Sequence, residues 1–140
     1  MIPASRDAGA GDRSDADGVP IRLLIVDDND DFLEAARVLL EREGMRVVGI
    51  ATTGAEALSQ VVALRPDVVL ADIFLGDESG VELAPRLVAE GLDDMSVILI
   101  STHSEADLVG LIDGTPVAGF LPKAELSAAA IRRVVDGRAA

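Results

Sequence analysis

The 140-residue sequence contains no cysteine, no tryptophan and no tyrosine, and it has a single histidine, His103. Without cysteine there can be no disulfide and no thiolate metal site, and one imidazole cannot build a zinc centre that needs several. Metal chemistry is left to carboxylate. Positive charge is scarce as well. The 12 Lys and Arg against 25 Asp and Glu give a formal net charge of -13, which repels a nucleic-acid backbone and an anionic membrane surface alike. No apolar run approaches the roughly 20 residues of a membrane span, and the N-terminus lacks the charged-then-apolar pattern of a signal peptide. These absences point to a cytoplasmic location, with no direct nucleic-acid binding and no membrane insertion. What the chain does hold is 49% hydrophobic residues, enough to bury the core of one ordinary domain.

Residues 1–20 mix Gly, Ala, Ser, Pro and charge without apolar periodicity. Such a stretch cannot offset its ordering entropy, and it is read as a flexible N-terminal tail ahead of a domain over residues 21–140. Five runs have the character of buried strands: Ile21–Val26, Met45–Ala51, Asp67–Ala71, Val97–Ser101 and Ala118–Leu121. A helical pattern follows each. Asp30 or Asp31 caps a first helix running to Glu43, with Phe32, Ala35, Ala36, Leu39 and Leu40 at helical spacing and Gly44 as the stop. Thr53 caps a second helix over Gly54–Leu64, with Glu56 completing a capping box and Arg65-Pro66 ending it. Ser79 and Glu82 repeat the box before a third helix, which Pro85 should kink. A fourth, from about Ser104 to Ile112, is cut short by Gly110, Gly114 and Pro116. A fifth over Ser127–Val135 turns Ala130, Ile131, Val134 and Val135 inward, and Arg132 and Arg133 to water. Strand followed by helix, five times and without a hairpin signal, implies an α/β doubly wound parallel sheet with right-handed crossovers and helices on both faces. In such sheets a ligand site lies beyond the carboxyl ends of the strands.

At those ends stand Asp27 and Asp28, Asp72, Ser101 and Thr102, and Lys123. Carboxylates gathered this closely repel one another and invite a hard divalent cation. All-oxygen ligands with open positions suit Mg²⁺. A carboxylate beside that cation stays ionised and can attack phosphorus, while metal, ammonium and hydroxyl neutralise the phosphoryl oxygens. Phosphoryl transfer onto Asp is the chemistry this set suits. Asp27 to Asp31 holds four Asp in five residues; Asp30 and Asp31 are read as capping and dipole partners of the following helix, a role that does not also need Asp27 and Asp28. Lys123 is the only lysine among the twelve basic residues. Arg serves elsewhere, and a compact ammonium kept at a strand end fills a role the guanidinium fork does not. Counting alternate residues from Val97 turns Ser101 to the face of Val97 and Leu99, favouring it over Thr102 as the reactive hydroxyl.

Four segments, IRLLIVDD over residues 21–28, DVVLADIFLGDESGVE over 67–82, VILIST over 97–102 and AGFLPK over 118–123, resemble the receiver domain of bacterial two-component response regulators. The resemblance covers about residues 21–138, and the spacings of 44 residues from Asp28 to Asp72, 29 to Ser101 and 22 to Lys123 hold. It implies a flavodoxin-like (βα)5 fold with strand order 2-1-3-4-5. It makes Asp72 the phosphoacceptor, with Asp27, Asp28 and the Phe74 backbone carbonyl joining Asp72 around Mg²⁺. Ser101 becomes the switch hydroxyl, Lys123 the partner of the phosphoryl group, Phe120 the aromatic switch, and Phe74 and His103 the residues that tune phosphoryl lifetime. The implied partners are a sensor histidine kinase or phosphotransfer protein, and a downstream protein docking on the fourth helix, fifth strand and fifth helix. The expected assembly is a monomer or a weak phosphorylation-dependent dimer. The chain is expected to be no enzyme beyond its own phosphorylation and autodephosphorylation, and to carry no output domain.

Three positions depart from the family pattern. Ala124 stands where Pro is usual after the lysine, Gly76 replaces the usual Pro and should loosen its loop, and Phe120 lacks the hydroxyl of the commoner Tyr. Gly76, Ala124 and the interrupted fourth helix motivate one alternative, a pseudo-receiver that binds partners without phosphorylation. The other alternative is an aspartate-nucleophile phosphatase of the haloacid dehalogenase type, for which Asp28 and Asp30 match the bare two-residue spacing of paired acids.

Overall fold

The computed structural model describes residues 20–91, 94–103, 108, 110 and 114–139. The expected tail therefore lies outside the described residues except for Pro20. So does most of the expected fourth helix, of which Leu108 and Gly110 are described, both helical.

Strands β1 (Arg22–Val26), β2 (Arg46–Ala51) and β3 (Val68–Asp72) pair in parallel, with β1 between the other two. A hairpin of β4 (Phe74–Leu75) and β5 (Glu78–Ser79) follows, then β6 (Ser96–Ser101) beside β3 and β7 (Gly119–Pro122) beside β6. The five-stranded sheet has the order β2-β1-β3-β6-β7, which is the expected order once the small hairpin is set aside. The helices are α1 (Asp30–Arg42), α2 (Gly54–Leu64), α3 (Gly80–Glu90) and α4 (Ala128–Ala139).

Strand side chains alternate between two cores, as the pleat requires. Leu23, Ile25, Val68, Leu70, Ile98 and Ile100 pack on one face against Leu33, Ala36 and Leu40 of α1 and Ala130 and Ile131 of α4. Leu24, Val26, Val69, Ala71, Val97 and Leu99 pack on the other against Ala57 and Val61 of α2 and Leu83, Ala84 and Leu87 of α3. The central strands are buried on both sides and so read as unbroken apolar runs. β2 departs from the expectation of five buried strands: it is a sheet margin, its Arg46 and Ile50 are exposed, and Gln60 Nε2 of α2 donates to the Ile50 carbonyl at 2.7 Å.

The helix starts differ from expectation in detail. α1 is capped by Asn29, whose side chain accepts from Phe32 N at 3.0 Å, not by Asp30 or Asp31, which occupy the first turn. Its buried stripe is Leu33, Ala36 and Leu40; Ala35 and Leu39 are exposed and Phe32 is half-buried. Thr53 does cap α2 through Glu56 N at 3.1 Å. The Glu56 carboxylate takes the amide and hydroxyl of Thr52 at 2.8 and 3.0 Å, with the Thr53 amide a weaker partner. Ser79 accepts from Val81 N and Glu82 N at the start of α3. α4 runs four residues beyond the expected Val135.

The hairpin was not anticipated. Phe74 faces Ser79 and Leu75 faces Glu78 across a two-residue turn, with Gly76 at φ +58°. Glycine at the first turn position supplies the positive φ such turns need. The residue expected to loosen this loop is the one that closes it.

Candidate functional site

Asp27 follows the last residue of β1, Asp72 ends β3, and Lys123 follows β7. Because β1 and β7 flank the β3 and β6 pair, their carboxyl ends open onto one rim of the sheet. There Lys123 Nζ lies 2.6 Å from Asp27 Oδ2 and 3.1 Å from Asp72 Oδ2. Asp27 is fully buried and Asp72 nearly so, whereas Asp28 is exposed. One carboxylate oxygen from each of Asp27, Asp28 and Asp72 falls within 4.8 Å of the others. Two backbone amides orient the buried pair: Asn29 N donates to Asp27 Oδ1 at 2.9 Å and Phe74 N to Asp72 Oδ1 at 3.2 Å.

Burial pushes the Asp72 carboxyl above its ordinary value, and the Asp27 charge adds to the rise, against the Phe74 amide and Lys123. Burial works on the Lys123 ammonium in the opposite direction, but Asp27 and Asp72 override it and hold Lys123 above its ordinary value. Two buried carboxylates thus share one cation, a net negative site. Among the described residues Asp27 Oδ2 meets only Lys123 Nζ, at 2.6 Å, which leaves one of its lone pairs over. A buried oxygen with unused acceptor capacity, in an all-carboxylate set with an exposed third member, fits a hard divalent cation such as Mg²⁺.

Ser101 is fully buried at the end of β6. Among the described residues its hydroxyl is engaged by His103, not by Asp72: it accepts from His103 N at 3.0 Å and lies 3.3 Å from Nδ1. The His103 ring in turn meets the Phe74 ring at 5.2 Å between centroids, tilted by 54°. Phe74 is 46% exposed. Phe120 is half-buried against the cluster that holds Val97 and Leu99, so it shares a sheet face with Ser101. Thr102 points to solvent. The Lys123-Ala124 peptide is trans, as are all peptides among the described residues.

The rim therefore gathers Asp27, Asp28, Asp72 and Lys123 into one cluster, with Phe74 at its edge and Ser101 beside it on the neighbouring strand. Asp30 and Asp31 stay outside, on α1. Two participants escaped the sequence reading. Asn29 supplies both the α1 cap and the amide on Asp27, and an Asn between two Asp pairs was the available signal. Phe32 carries Lys123 Nζ 4.3 Å from its ring centroid, a contact between residues 91 positions apart that no local pattern announces.

The model of the response regulator receiver domain matches residues 23–135. The chain is 33% identical over 122 residues to the response regulator UvrY of Escherichia coli O157:H7, covering 84% of this chain and 56% of that protein. It is 32% identical over 116 residues to the transcriptional regulatory protein LnrK of Bacillus subtilis, covering 82% and 52%. The chain thus spans about half the length of these curated relatives. Among solved structures, the signal receiver domain of NarL from Mycobacterium tuberculosis superposes with a TM-score of 0.72 at 30% identity, over 86% of this chain and 97% of that one. A two-component response regulator of the LuxR family from Aurantimonas sp. SI85-9A1 gives 0.75 at 25% identity, over 86% and 88%.

Proposed function

The chain belongs to the response regulator receiver domain family, and from that premise we propose that it accepts a phosphoryl group on Asp72 from a sensor kinase phosphohistidine and relays the change to a protein partner. The observation that carries this reading is the buried Asp72 carboxylate, held by Lys123 on one oxygen and the Phe74 amide on the other, beside Asp27 and Asp28. Asp27, Asp28, Asp72 and the Phe74 carbonyl would hold Mg²⁺. When bound, the cation supplies charge neutralisation for the phosphoryl oxygens.

An Asp72 carboxylate oxygen attacks phosphorus, the phosphorus–nitrogen bond to the donor imidazole breaks, and that nitrogen leaves with the bonding pair and is protonated. Lys123 stabilises the charge on the transferred group, and the Phe74 amide keeps the attacking carboxylate oriented. Ser101 then exchanges His103 for a phosphoryl oxygen. That movement opens space on the face it shares with Phe120, and the surface around Phe120, β7 and α4 changes for a downstream protein. Asp28 and Asp30, the pair a phosphatase of the dehalogenase type would use, are both exposed, and neither has the buried lysine contact of Asp72.

The test is intact mass after incubation with acetyl phosphate and Mg²⁺. One phosphoryl group should appear on wild type and none on Asp72→Asn; a gain that persists in the variant overturns the proposal. Among the described residues no helix is long and apolar enough to cross a membrane.

A further inference from the structure

The hairpin after Asp72 is anchored at its far strand to a different part of the fold. Both carboxylate oxygens of Glu78 face the backbone amide of Gly54, at 3.1 and 3.3 Å. Gly54 opens α2, where an amide has no partner within the helix and the helix dipole favours a negative group. Thr53 already caps Glu56 N, so Glu78 satisfies a donor that the local cap leaves over. Glycine is what admits the carboxylate: a Cβ at position 54 would collide with Glu78 Oε1 and press on Leu83 Cδ1 at 3.2 Å.

The near strand and turn of the same hairpin touch the acidic cluster. Phe74 N holds Asp72 Oδ1 at 3.2 Å. The turn passes so close to Asp28 that a Cβ on Gly76 would lie 3.4 Å from its Oδ2. Behind the hairpin, Gly80 N donates to the Ile73 carbonyl at 2.8 Å, and a Cβ on Gly80 would strike the Asp72 carbonyl. A ladder of two residues per strand has little stability of its own; its position is set by what it is tied to.

We propose that Glu78 is a positioning residue of the acceptor site, clamping the hairpin to the start of α2 so that Phe74 N and the Gly76 turn hold Asp72 and Asp28 in register for a divalent cation. The use of the cluster for phosphoryl transfer rests on the function proposed above, whereas the clamp is a property of the metal-free protein.

The test combines amide hydrogen exchange on metal-free protein with Mg²⁺ titration, for wild type, Glu78→Ala, Glu78→Gln and Gly54→Ala. Glu78 is exposed, so its variants fold. In Glu78→Ala the Phe74 amide should exchange severalfold faster and Mg²⁺ affinity should fall about tenfold, the scale on which residues behind metal ligands act. Glu78→Gln, which can still accept from Gly54 N, should recover most of both. Gly54→Ala pushes the carboxylate away from the α2 amide, and it should reproduce both losses. Wild-type Phe74 exchange and wild-type Mg²⁺ affinity in Glu78→Ala would overturn the proposal. A wild-type protein that neither binds Mg²⁺ nor gains a phosphoryl group would instead defeat the receiver function, and the exchange rates would still decide the role of Glu78.

Discussion

Lys123 Nζ stands 4.3 Å from the centroid of the Phe32 ring, on the first turn of α1. The only lysine of the chain is thus held by two buried carboxylates and one aromatic face, and the ring quadrupole attracts the ammonium while excluding water from it. With its head held on three sides, Lys123 is preset toward Asp72.

Phe32→Leu keeps apolar volume at this position and removes the aromatic face. Stability in EDTA should fall by about 1 kcal/mol, and phosphoryl uptake from acetyl phosphate should slow because the ammonium is less fixed. Urea unfolding and time-resolved intact mass read the two effects. Unchanged uptake would mean that the carboxylates alone position Lys123.

Removing the ammonium leaves two buried carboxylates facing each other. Lys123→Ala should cost about 3 kcal/mol, the scale for breaking a buried ion pair from one side, and Mg²⁺ should return part of it. Lys123 is held above its ordinary 10.5, so its stabilisation is fully present below that value and disappears as pH rises through the folded one. Urea midpoints should therefore drop above pH 10.5 in wild type and drop less in the variant.

Asp72 runs in the other direction from most native carboxylates. Burial, and then the Asp27 charge, raise its folded value above the ordinary 3.8, so the folded state binds the proton more tightly than the unfolded chain. Its contribution is greatest in acid and is lost as pH climbs from 3.8 through the raised value. In EDTA, Asp72→Asn should be as stable as wild type or more stable near neutral pH, with a flatter dependence across that window. Mg²⁺ should reverse the order by stabilising only wild type. Urea midpoints across a pH series, with and without Mg²⁺, decide it.

Phe74, 46% exposed and in ring contact with His103, lies two residues past Asp72, and on the proposed function its ring would shield an acyl phosphate there from water. Phe74→Asn should accelerate dephosphorylation by uncovering the bond and offering a group that can orient water. His103→Ala should change the rate less. Phosphate release from the two phosphorylated variants compares them directly, and a Phe74→Asn protein that decays no faster than wild type contradicts the ordering.

The strands were legible because each central one is buried on both faces, so Leu23–Val26, Val68–Ala71 and Val97–Ile100 show as unbroken apolar runs. The site was legible because parallel strands all deliver their carboxyl ends to one rim, which let Asp27, Asp28, Asp72, Ser101 and Lys123 be grouped across nearly 100 residues of chain. What escaped was set by single contacts. Asn29, Asp30 and Asp31 are all good caps and nothing local separates them; of the expected α1 stripe Ala36 and Leu40 are buried, while Leu33 was missed and Ala35 and Leu39 face water. The β4 and β5 ladder is too short for periodicity to register. Glu78 with Gly54 and Phe32 with Lys123 are tertiary contacts: Gly54 already had an explanation as a helix start and Phe32 as helix core, and no local pattern marks Glu78.

The Gln60 contact on β2 bears on how the protein behaves when crowded with copies of itself. A strand at a sheet margin offers a row of free carbonyls and amides to any extended chain that comes alongside, the usual seed of fibrils. Here the Ile50 carbonyl is already taken by Gln60, Arg46 brings a charge to the other end of the strand, and the register shift opposite Leu23 and Leu24 breaks the straight line a template needs. Gln60→Ala would leave the Ile50 carbonyl open to a second molecule, and the variant should aggregate at a lower concentration than wild type.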